Sequence, residues 1–128
     1  MNPLVEFAVH AAVAAGENAA RIRQGGVVAE TKPDASPVTI ADRSNELLIR
    51  EMIEREYPED GLFGEEGARK TGASGRTWVI DPIDGTRDFV RGNRFWCVLV
   101  ALVDASLDPI AGVAHFPMLG ETYAAARG

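Results

Sequence analysis

An α+β fold, with two N-terminal helices packed on an antiparallel sheet, is predicted by two patterns in the sequence. In residues 3–24 and again in residues 39–56, apolar residues recur three and four positions apart, which is the spacing of helices that bury one face. From residue 77 onward, short apolar runs alternate with turn-forming Gly, Pro and Asp, which is typical of strands joined by turns. Helices followed by a meander of strands form separate layers around one shared core.

Length and charge restrict the class of protein. The chain has 128 residues, which is enough for one domain spanning residues 1–128. It carries 19 acidic and 13 basic residues, and a net charge of −6 gives no general attraction to nucleic acid or an anionic membrane. No stretch approaches the roughly 18 to 20 apolar residues of a membrane span. Residues 1–15 lack the basic start of a signal peptide. We therefore expect a cytoplasmic protein that binds neither nucleic acid nor membrane.

The first helix is predicted to begin at Asn2, whose side chain can cap it, with Pro3 at the first helical position. It is predicted to end at Gly25–Gly26. The small size of many residues on its apolar face indicates close packing against a flat partner. That face consists of Leu4, Phe7, Ala8, Ala11, Ala12, Ala15, Ala19 and Ile22.

The second helix is predicted to begin at Thr39, with Asp42 three residues later in the manner of a capping box. It is predicted to end before Tyr57–Pro58, because the residue before a proline disfavours helical geometry. Its apolar face is predicted to consist of Leu47, Leu48 and Met52.

The strands are predicted from short apolar runs, and the polar segments 32–37 and 68–75 are predicted to be exposed loops. Cys97 is the single cysteine, and the apolar run around it indicates a buried structural thiol. The predicted strands are 27–31, a short strand ending at Gly64, 77–81, 95–103, 110–116 and 122–126.

Acidic residues gather where predicted strands end and helices begin. In the segment DPIDGT, Pro82 fixes a turn that lets Asp81 and Asp84 converge, and two converging carboxylates repel each other unless a cation lies between them. Hard oxygen ligands favour Mg²⁺, Mn²⁺ or Ca²⁺ over zinc. Gly85 then permits close backbone approach, and the amides of Gly85 and Thr86 would open a short helix suited to phosphate. The segment therefore points to phosphoryl chemistry.

Each of these signals also has an ordinary structural interpretation. An isolated Asp-Pro pair is usually a turn, and Glu65 and Glu66 after a glycine would usually be solvated surface. The placement of all of them at element ends favours a site, because such ends are where sites are commonly built.

Three blocks of sequence resemble the inositol monophosphatase family of Mg²⁺-dependent, lithium-sensitive phosphomonoesterases. They are SPVTIAD at 36–42, FGEEG at 63–67 and WVIDPIDGTRDFVRG at 78–92, and the later GVAHFPMLGETYAAARG at 112–128 also resembles a hairpin of the family. The resemblance implies that the chain forms the first half of a layered α/β/α/β/α fold. It also implies two or three Mg²⁺ ions per complete site, a small phosphorylated metabolite as substrate, and a homodimer for the full-length form.

The resemblance also implies a role for each matching residue. Glu65 and Asp81, with the carbonyl of Ile83, match ligands of a first metal, and Asp81 and Asp84 match ligands of a second. Glu65 also matches a position at a third, weaker metal. Gly85 and Thr86 match the positions whose amides hold the substrate phosphate. Thr86 and Asp42 match the pair that orients and deprotonates the attacking water.

The substrate branch is indicated by the residues after DPIDGT. Phe89-x-Arg91-Gly92, followed by Trp96, resembles the histidinol-phosphatase branch more than the inositol branch. L-histidinol phosphate is therefore the expected substrate, hydrolysed by metal-activated water, and inositol 1-phosphate is the alternative.

The resemblance implies a second half of the family fold, whose Trp-Asp motif supplies a further ligand to the second metal. Residues 1–128 contain no Trp-Asp pair, so we interpret them as the N-terminal portion of such a domain, with the C-terminal α/β portion absent. Weak or no catalysis is expected from these residues alone. Two other interpretations stay open: a truncated module that binds metal or phosphate without turnover, and an interaction protein whose acidic loops are only solvated.

Overall fold

The computed structural model describes residues 2–25, 29–31 and 37–128, with the side chains of 29–31 and 37–39 left out of the description. Three helices and eight strands are present in this part of the chain. The helices are α1 (Pro3–Gln24), α2 (Ile40–Glu56) and α3 (Thr86–Arg91). The strands are β1 (Ala29–Thr31), β2 (Pro37–Thr39), β3 (Gly61–Gly64), β4 (Arg69–Lys70), β5 (Thr77–Asp84), β6 (Cys97–Val103), β7 (Pro109–Phe116) and β8 (Glu121–Ala126).

Helix α1 follows the sequence prediction closely. The Asn2 side chain accepts a hydrogen bond from the Leu4 amide at 2.8 Å, and Pro3 occupies the first helical position. The helix ends with Gly25 at its C-cap. Its buried face is built mainly of small residues, which lets the helix approach the sheet closely. The buried residues are Val5, Ala8, Ala11, Ala12, Ala15, Gly16 and Ala19.

Helix α2 begins one residue after the predicted start and ends before Tyr57, but its predicted inner face was only partly correct. Leu47 is 52% exposed, and Leu48 and Met52 are only partly buried at the margin of the core. The side that faces the protein carries polar residues near its start and apolar ones near its end, so apolar spacing alone does not identify it. The buried residues are Ala41, Asp42, Asn45, Glu46, Ile49 and Ile53.

The main sheet has the strand order β4-β3-β5-β6-β7-β8. Strands β5 to β8 form the predicted antiparallel meander, whereas β3 runs parallel to β5, so the sheet as a whole is mixed. Strands β3 and β5 are parallel because β4 lies between them in the sequence and runs antiparallel to β3. It thereby returns the chain to the end of the sheet at which β3 begins, and β5 starts there. The amide of Gly61 then bonds the carbonyl of Arg76 at 2.8 Å.

Four local predictions require correction. Segment 68–75 is not wholly an exposed loop, because 69–70 pairs with β3 and Ala68 is buried. Residues 81–84 are not a turn: β5 continues to Asp84 with an irregular register. Phe95 precedes β6 and is 66% exposed, since the chain reaches the sheet only at Cys97. Pro37 belongs to β2 rather than to a loop, because it pairs with Thr31.

The remaining predicted elements agree with the structure to within a few residues. Within 27–31, strand β1 begins at Ala29, and residues 27 and 28 lie outside the described part of the chain. Residues 26 and 32–36 also lie outside it. None of the helices in the described part is long and apolar enough to cross a bilayer.

The main core lies between the two long helices and one face of the sheet. Trp78 on β5 is fully buried and contacts the rings of Phe7 and Tyr57, with centroids 5.2 and 5.7 Å away. Its indole N–H donates to Asp60 at 2.9 Å, and Asp60 also accepts from the guanidinium of Arg76. A second, smaller apolar cluster includes the buried side chain of α3, and it consists of Ala19, Ala41, Ile83, Phe89 and Trp96.

Candidate metal and phosphate site

Asp81 lies at the centre of the acidic site, on the last part of β5. Its Oδ1 atom is buried and has no hydrogen-bond partner. Burial, followed by the neighbouring carboxylates of Glu65 and then Asp84, raises the pKa of Asp81 from 3.8 to about 8. An orphaned carboxylate oxygen among other carboxylates is what a bound cation would satisfy. The three acids predicted from the sequence are therefore brought together.

The donor chemistry of these residues fits a hard divalent cation, since every candidate ligand is an oxygen. Among the described residues, however, no group of three or more Asp, Glu, His or Cys side chains already has a metal-binding arrangement. The fit therefore rests on the orphaned oxygen and the clustered charge, and not on a preformed cage.

Glu65 reaches this position because it directly follows β3. Its side chain is exposed, and its backbone amide donates to the carbonyl of Ile80 at 3.2 Å. This bond continues the β3–β5 pairing by one residue beyond Gly64. The parallel pair thus delivers Glu65 and Asp81 to the same end of the sheet.

The irregular end of β5 places the other predicted groups. The register with β6 shifts between Asp81 and Asp84, which is the mark of a bulge that re-aims side chains. The Thr86 hydroxyl donates to the carbonyl of Ile83 at 3.2 Å, so the predicted metal-ligand carbonyl and the predicted water-orienting hydroxyl are in direct contact. Asp84 is exposed, and its Oδ2 lies 3.8 Å from the thiol sulfur of Cys97.

Cys97 is buried, as predicted. Burial and the nearby charges of Asp84 and Asp81 raise the pKa of its thiol from 9.0 to about 11. A thiol with so high a pKa stays protonated near neutral pH, which agrees with a structural role.

Gly85 begins α3 in a left-handed conformation, with φ 87° and ψ 44°. A Cβ at this position would lie 3.2 Å from the carbonyl oxygen of Phe95. We expect Gly85→Ala to lower the free energy of unfolding by about 1–2 kcal/mol, because L side chains are strained in this region. Denaturant unfolding measures the loss. Gly67→Ala is a useful comparison, because Gly67 also has positive φ (115°) but nothing within 4 Å of its Cβ position. If Gly85→Ala left the free energy of unfolding unchanged, the expectation would be contradicted.

Asp42, the predicted proton acceptor, is buried in the first turn of α2 with 3% of its surface exposed. The same helix turn is tied to β5, since the Asn45 amide donates to the carbonyl of Pro82 at 3.0 Å. The structure therefore connects the Asp42 turn to the Asp81–Asp84 segment through Asn45.

Sequence reasoning missed two residues of this region, Asn45 and Glu46. Glu46 is buried and accepts hydrogen bonds from the amides of Glu66 and Ala68 at 2.8 and 2.9 Å. A signal was available: both residues follow Asp42 at helical spacings of three and four, so all three share one face of α2.

Arg23, near the end of α1, was also missed. Its guanidinium donates to the carbonyls of Phe89 and Asn93 at 3.3 and 3.0 Å. It also lies 5.3 Å from the ring of Phe89 on α3 and 5.5 Å from the ring of Trp96, which precedes β6. Arg23 thus ties the C-terminal end of α3 to α1. Nothing in the local sequence around Arg23 indicates this contact.

Comparison with known proteins agrees with the acidic site described above. The model of the inositol monophosphatase family matches residues 1–128. The chain belongs to this family. The family resemblance stated from the three sequence blocks is therefore confirmed, and so is the helix-and-sheet fold.

Individual members of the family are similar to this chain over part of their length. A histidinol-phosphatase from Chlorobaculum parvum is 50% identical over 99 residues, covering 77% of this chain and 38% of that protein. An inositol monophosphatase from Mesembryanthemum crystallinum is 36% identical over 135 residues, covering 98% and 48%. The crystal structure of the extragenic suppressor protein suhB from Bartonella henselae superposes with a TM-score of 0.90 and 30% identity, covering 98% of this chain and 49% of that one. The chain thus spans less than half the length of these relatives.

Proposed function

We propose that this chain is the N-terminal portion of a Mg²⁺-dependent phosphomonoesterase. The observation that carries the proposal is the buried, unpartnered oxygen of Asp81 between Glu65 and Asp84, adjacent to the start of α3. Membership of a phosphatase family supports the reaction class. Glu65, Asp81, Asp84 and the carbonyl of Ile83 would hold the cations. Bound Mg²⁺ would supply positive charge to the phosphate oxygens and make a water molecule more acidic.

The chain's own residues would orient the other reactants. The backbone at Gly85 and Thr86 would bind the phosphate oxygens, because the first amides of a helix have no acceptor within the helix. The carboxylate of Asp42, with the Thr86 hydroxyl, would hold the attacking water and accept its proton. The water oxygen would bond to phosphorus as its proton passes to Asp42, and the ester P–O bond would break. The departing alkoxide would take up a proton from solvent, to which Asp42 would then release its own.

We propose L-histidinol phosphate as the substrate of the whole enzyme. The 50% identity to a histidinol-phosphatase supports this choice, together with the Phe89-x-Arg91-Gly92 segment. Inositol 1-phosphate is the second candidate, because the inositol monophosphatase relative aligns with 98% of the chain.

Phosphate release from both esters, with and without Mg²⁺, tests the proposal. We expect Mg²⁺-dependent release that is faster from histidinol phosphate, at a rate well below that of a full-length homologue. Equal rates of phosphate release from the two esters would contradict the proposal that L-histidinol phosphate is the substrate. Turnover comparable to a full-length homologue would contradict the view that further ligands are required.

Calorimetry separates this proposal from a module that binds Mg²⁺ or phosphate without turnover. A chain that binds Mg²⁺ but releases no phosphate would favour the module. If neither Mg²⁺ nor inorganic phosphate changes the thermal stability of the chain, the result would favour the interpretation as an interaction protein with solvated acidic loops. A cytoplasmic location, lithium inhibition and a homodimeric full-length form stay predictions.

A further inference from the structure

The loop that carries Glu65 is wrapped around a buried carboxylate. Oε1 of Glu46 accepts from the amide of Glu66 at 2.8 Å, and Oε2 accepts from the amide of Ala68 at 2.9 Å. Gly64 packs so closely that an added Cβ would collide with the Glu46 carboxyl group. Each carboxylate oxygen of Glu46 therefore has a backbone donor, and the chain passes around it through a glycine.

Glu65 lies in the middle of this arrangement. The residue before it packs against Glu46, the residue after it donates to Glu46, and its own amide donates to the carbonyl of Ile80. The backbone of Glu65 is therefore fixed on both sides, although its side chain is exposed.

The segment that carries Asp81 and Asp84 is held by the adjacent residue of the same helix. The Asn45 side chain is fully buried, and its amide nitrogen donates to the carbonyl of Pro82 at 3.0 Å. The amide oxygen of Asn45 accepts from the side chain of Asn18 on α1 at 2.9 Å. A chain of side-chain amides thus runs from α1 through α2 to the bulge of β5.

We propose that Asn45 and Glu46 are positioning residues that set the spacing of the cation ligands, an inference that rests on the proposed function. Asn45 fixes the Asp81–Asp84 segment, and Glu46 fixes the loop that carries Glu65. A single turn of α2 therefore determines the separation between these two groups of ligands. The three acidic side chains would repel one another when all are ionised, and the two buried anchors hold the backbone segments that carry them in place before a cation arrives. Partners of this kind commonly change metal affinity by about 10–100-fold when they are altered.

The test uses two variants of nearly unchanged size, Glu46→Gln and Asn45→Leu. Glutamine keeps one acceptor but turns an NH₂ group toward a backbone N–H, and leucine removes the bond to Pro82. Glu51→Gln is the matched control, because Glu51 is exposed on the same helix and loses the same charge as Glu46. Mg²⁺ binding is measured by calorimetry at a temperature where circular dichroism shows every variant folded.

We expect the Mg²⁺ dissociation constant to rise about tenfold or more for each anchor variant and less than twofold for Glu51→Gln. A purely structural role would lower the thermal midpoint without changing the affinity of the folded molecules. Affinities within twofold of the unsubstituted chain would therefore overturn the proposal, and so would an equal loss in Glu51→Gln.

Hydrogen exchange separates failure of this proposal from failure of the proposed function. We expect the amides of Glu66 and Ala68 to exchange faster in Glu46→Gln and to be unchanged in Asn45→Leu, with no metal present. If the unsubstituted chain binds no Mg²⁺, the proposed function fails for this chain. The anchoring is then judged by exchange alone, and unchanged protection of Glu66 and Ala68 would overturn it.

Discussion

Replacing Asp81 by asparagine should abolish the response of this chain to Mg²⁺. The unsubstituted chain should gain about 2.7 kcal/mol of stability at a Mg²⁺ concentration 100 times its dissociation constant, because a ligand that binds only the folded state stabilises it by mass action. Asp81→Asn replaces the central carboxylate with a neutral amide, so this gain should disappear. Thermal unfolding with and without Mg²⁺ measures it, and any Mg²⁺-dependent phosphate release should be lost in parallel.

In the absence of metal, Asp81→Asn should not lower the stability of the chain. Without a cation, burial and the neighbouring Glu65 and Asp84 raise the pKa of Asp81 from 3.8 to about 8, so folding near neutral pH must protonate a group that is ionised in the unfolded chain. Asparagine is neutral in both states and avoids this cost. The metal-free variant should therefore be as stable as the unsubstituted chain, or more stable. Asp108→Asn, at an exposed turn, controls for the loss of one negative charge. An Asp81→Asn variant that keeps the full Mg²⁺ gain would contradict the proposed metal site.

Replacing Trp78 by alanine should cause the largest loss of stability, about 3–5 kcal/mol. Trp78 is fully buried, and its ring contacts those of Phe7 on α1 and Tyr57 after α2. Alanine would leave a cavity where both long helices meet β5. It would also remove the indole donor from Asp60, which is 1% exposed. Denaturant unfolding measures the change.

An exposed aromatic residue provides the comparison for Trp78. Tyr123 on β8 is 58% exposed, and Tyr123→Ala should cost far less than Trp78→Ala. If the two substitutions lowered the free energy of unfolding equally, the core described around Trp78 would not be the main source of stability.

The elements that the sequence predicted well are those with strong local signals. Helix α1 has a capping Asn2, a proline at its first position and Gly25 at its C-cap, and its bounds agree with the prediction. Asp81 and Asp84 were predicted to converge through a turn at Pro82, and the family resemblance placed Glu65 with them. The structure brings the three acids together around Asp81, although through an irregular strand end and not through a turn. Their assigned roles as ligands stay predictions.

The features that escaped prediction depend on partners distant in sequence. The inner face of α2 is polar near its start because Asn45 bonds Pro82 and Glu46 bonds Ala68, and neither partner is visible in the helix sequence. The parallel pairing of β3 with β5 depends on β4 returning the chain, which a pattern of apolar runs does not encode. Arg23 escaped notice because its contacts are 66 and 70 residues away.

The polar inner face of α2 has a consequence for attempts to engineer this chain. Asn45 and Glu46 bond backbone groups of Pro82, Glu66 and Ala68, and no substitution on the helix can remove those groups. An aliphatic side chain at either position would leave at least one buried backbone group without a partner, which costs about 1–3 kcal/mol. Selection for heat resistance alone would therefore keep both polar residues, so that stability and the proposed cation site make the same demand on this helical turn.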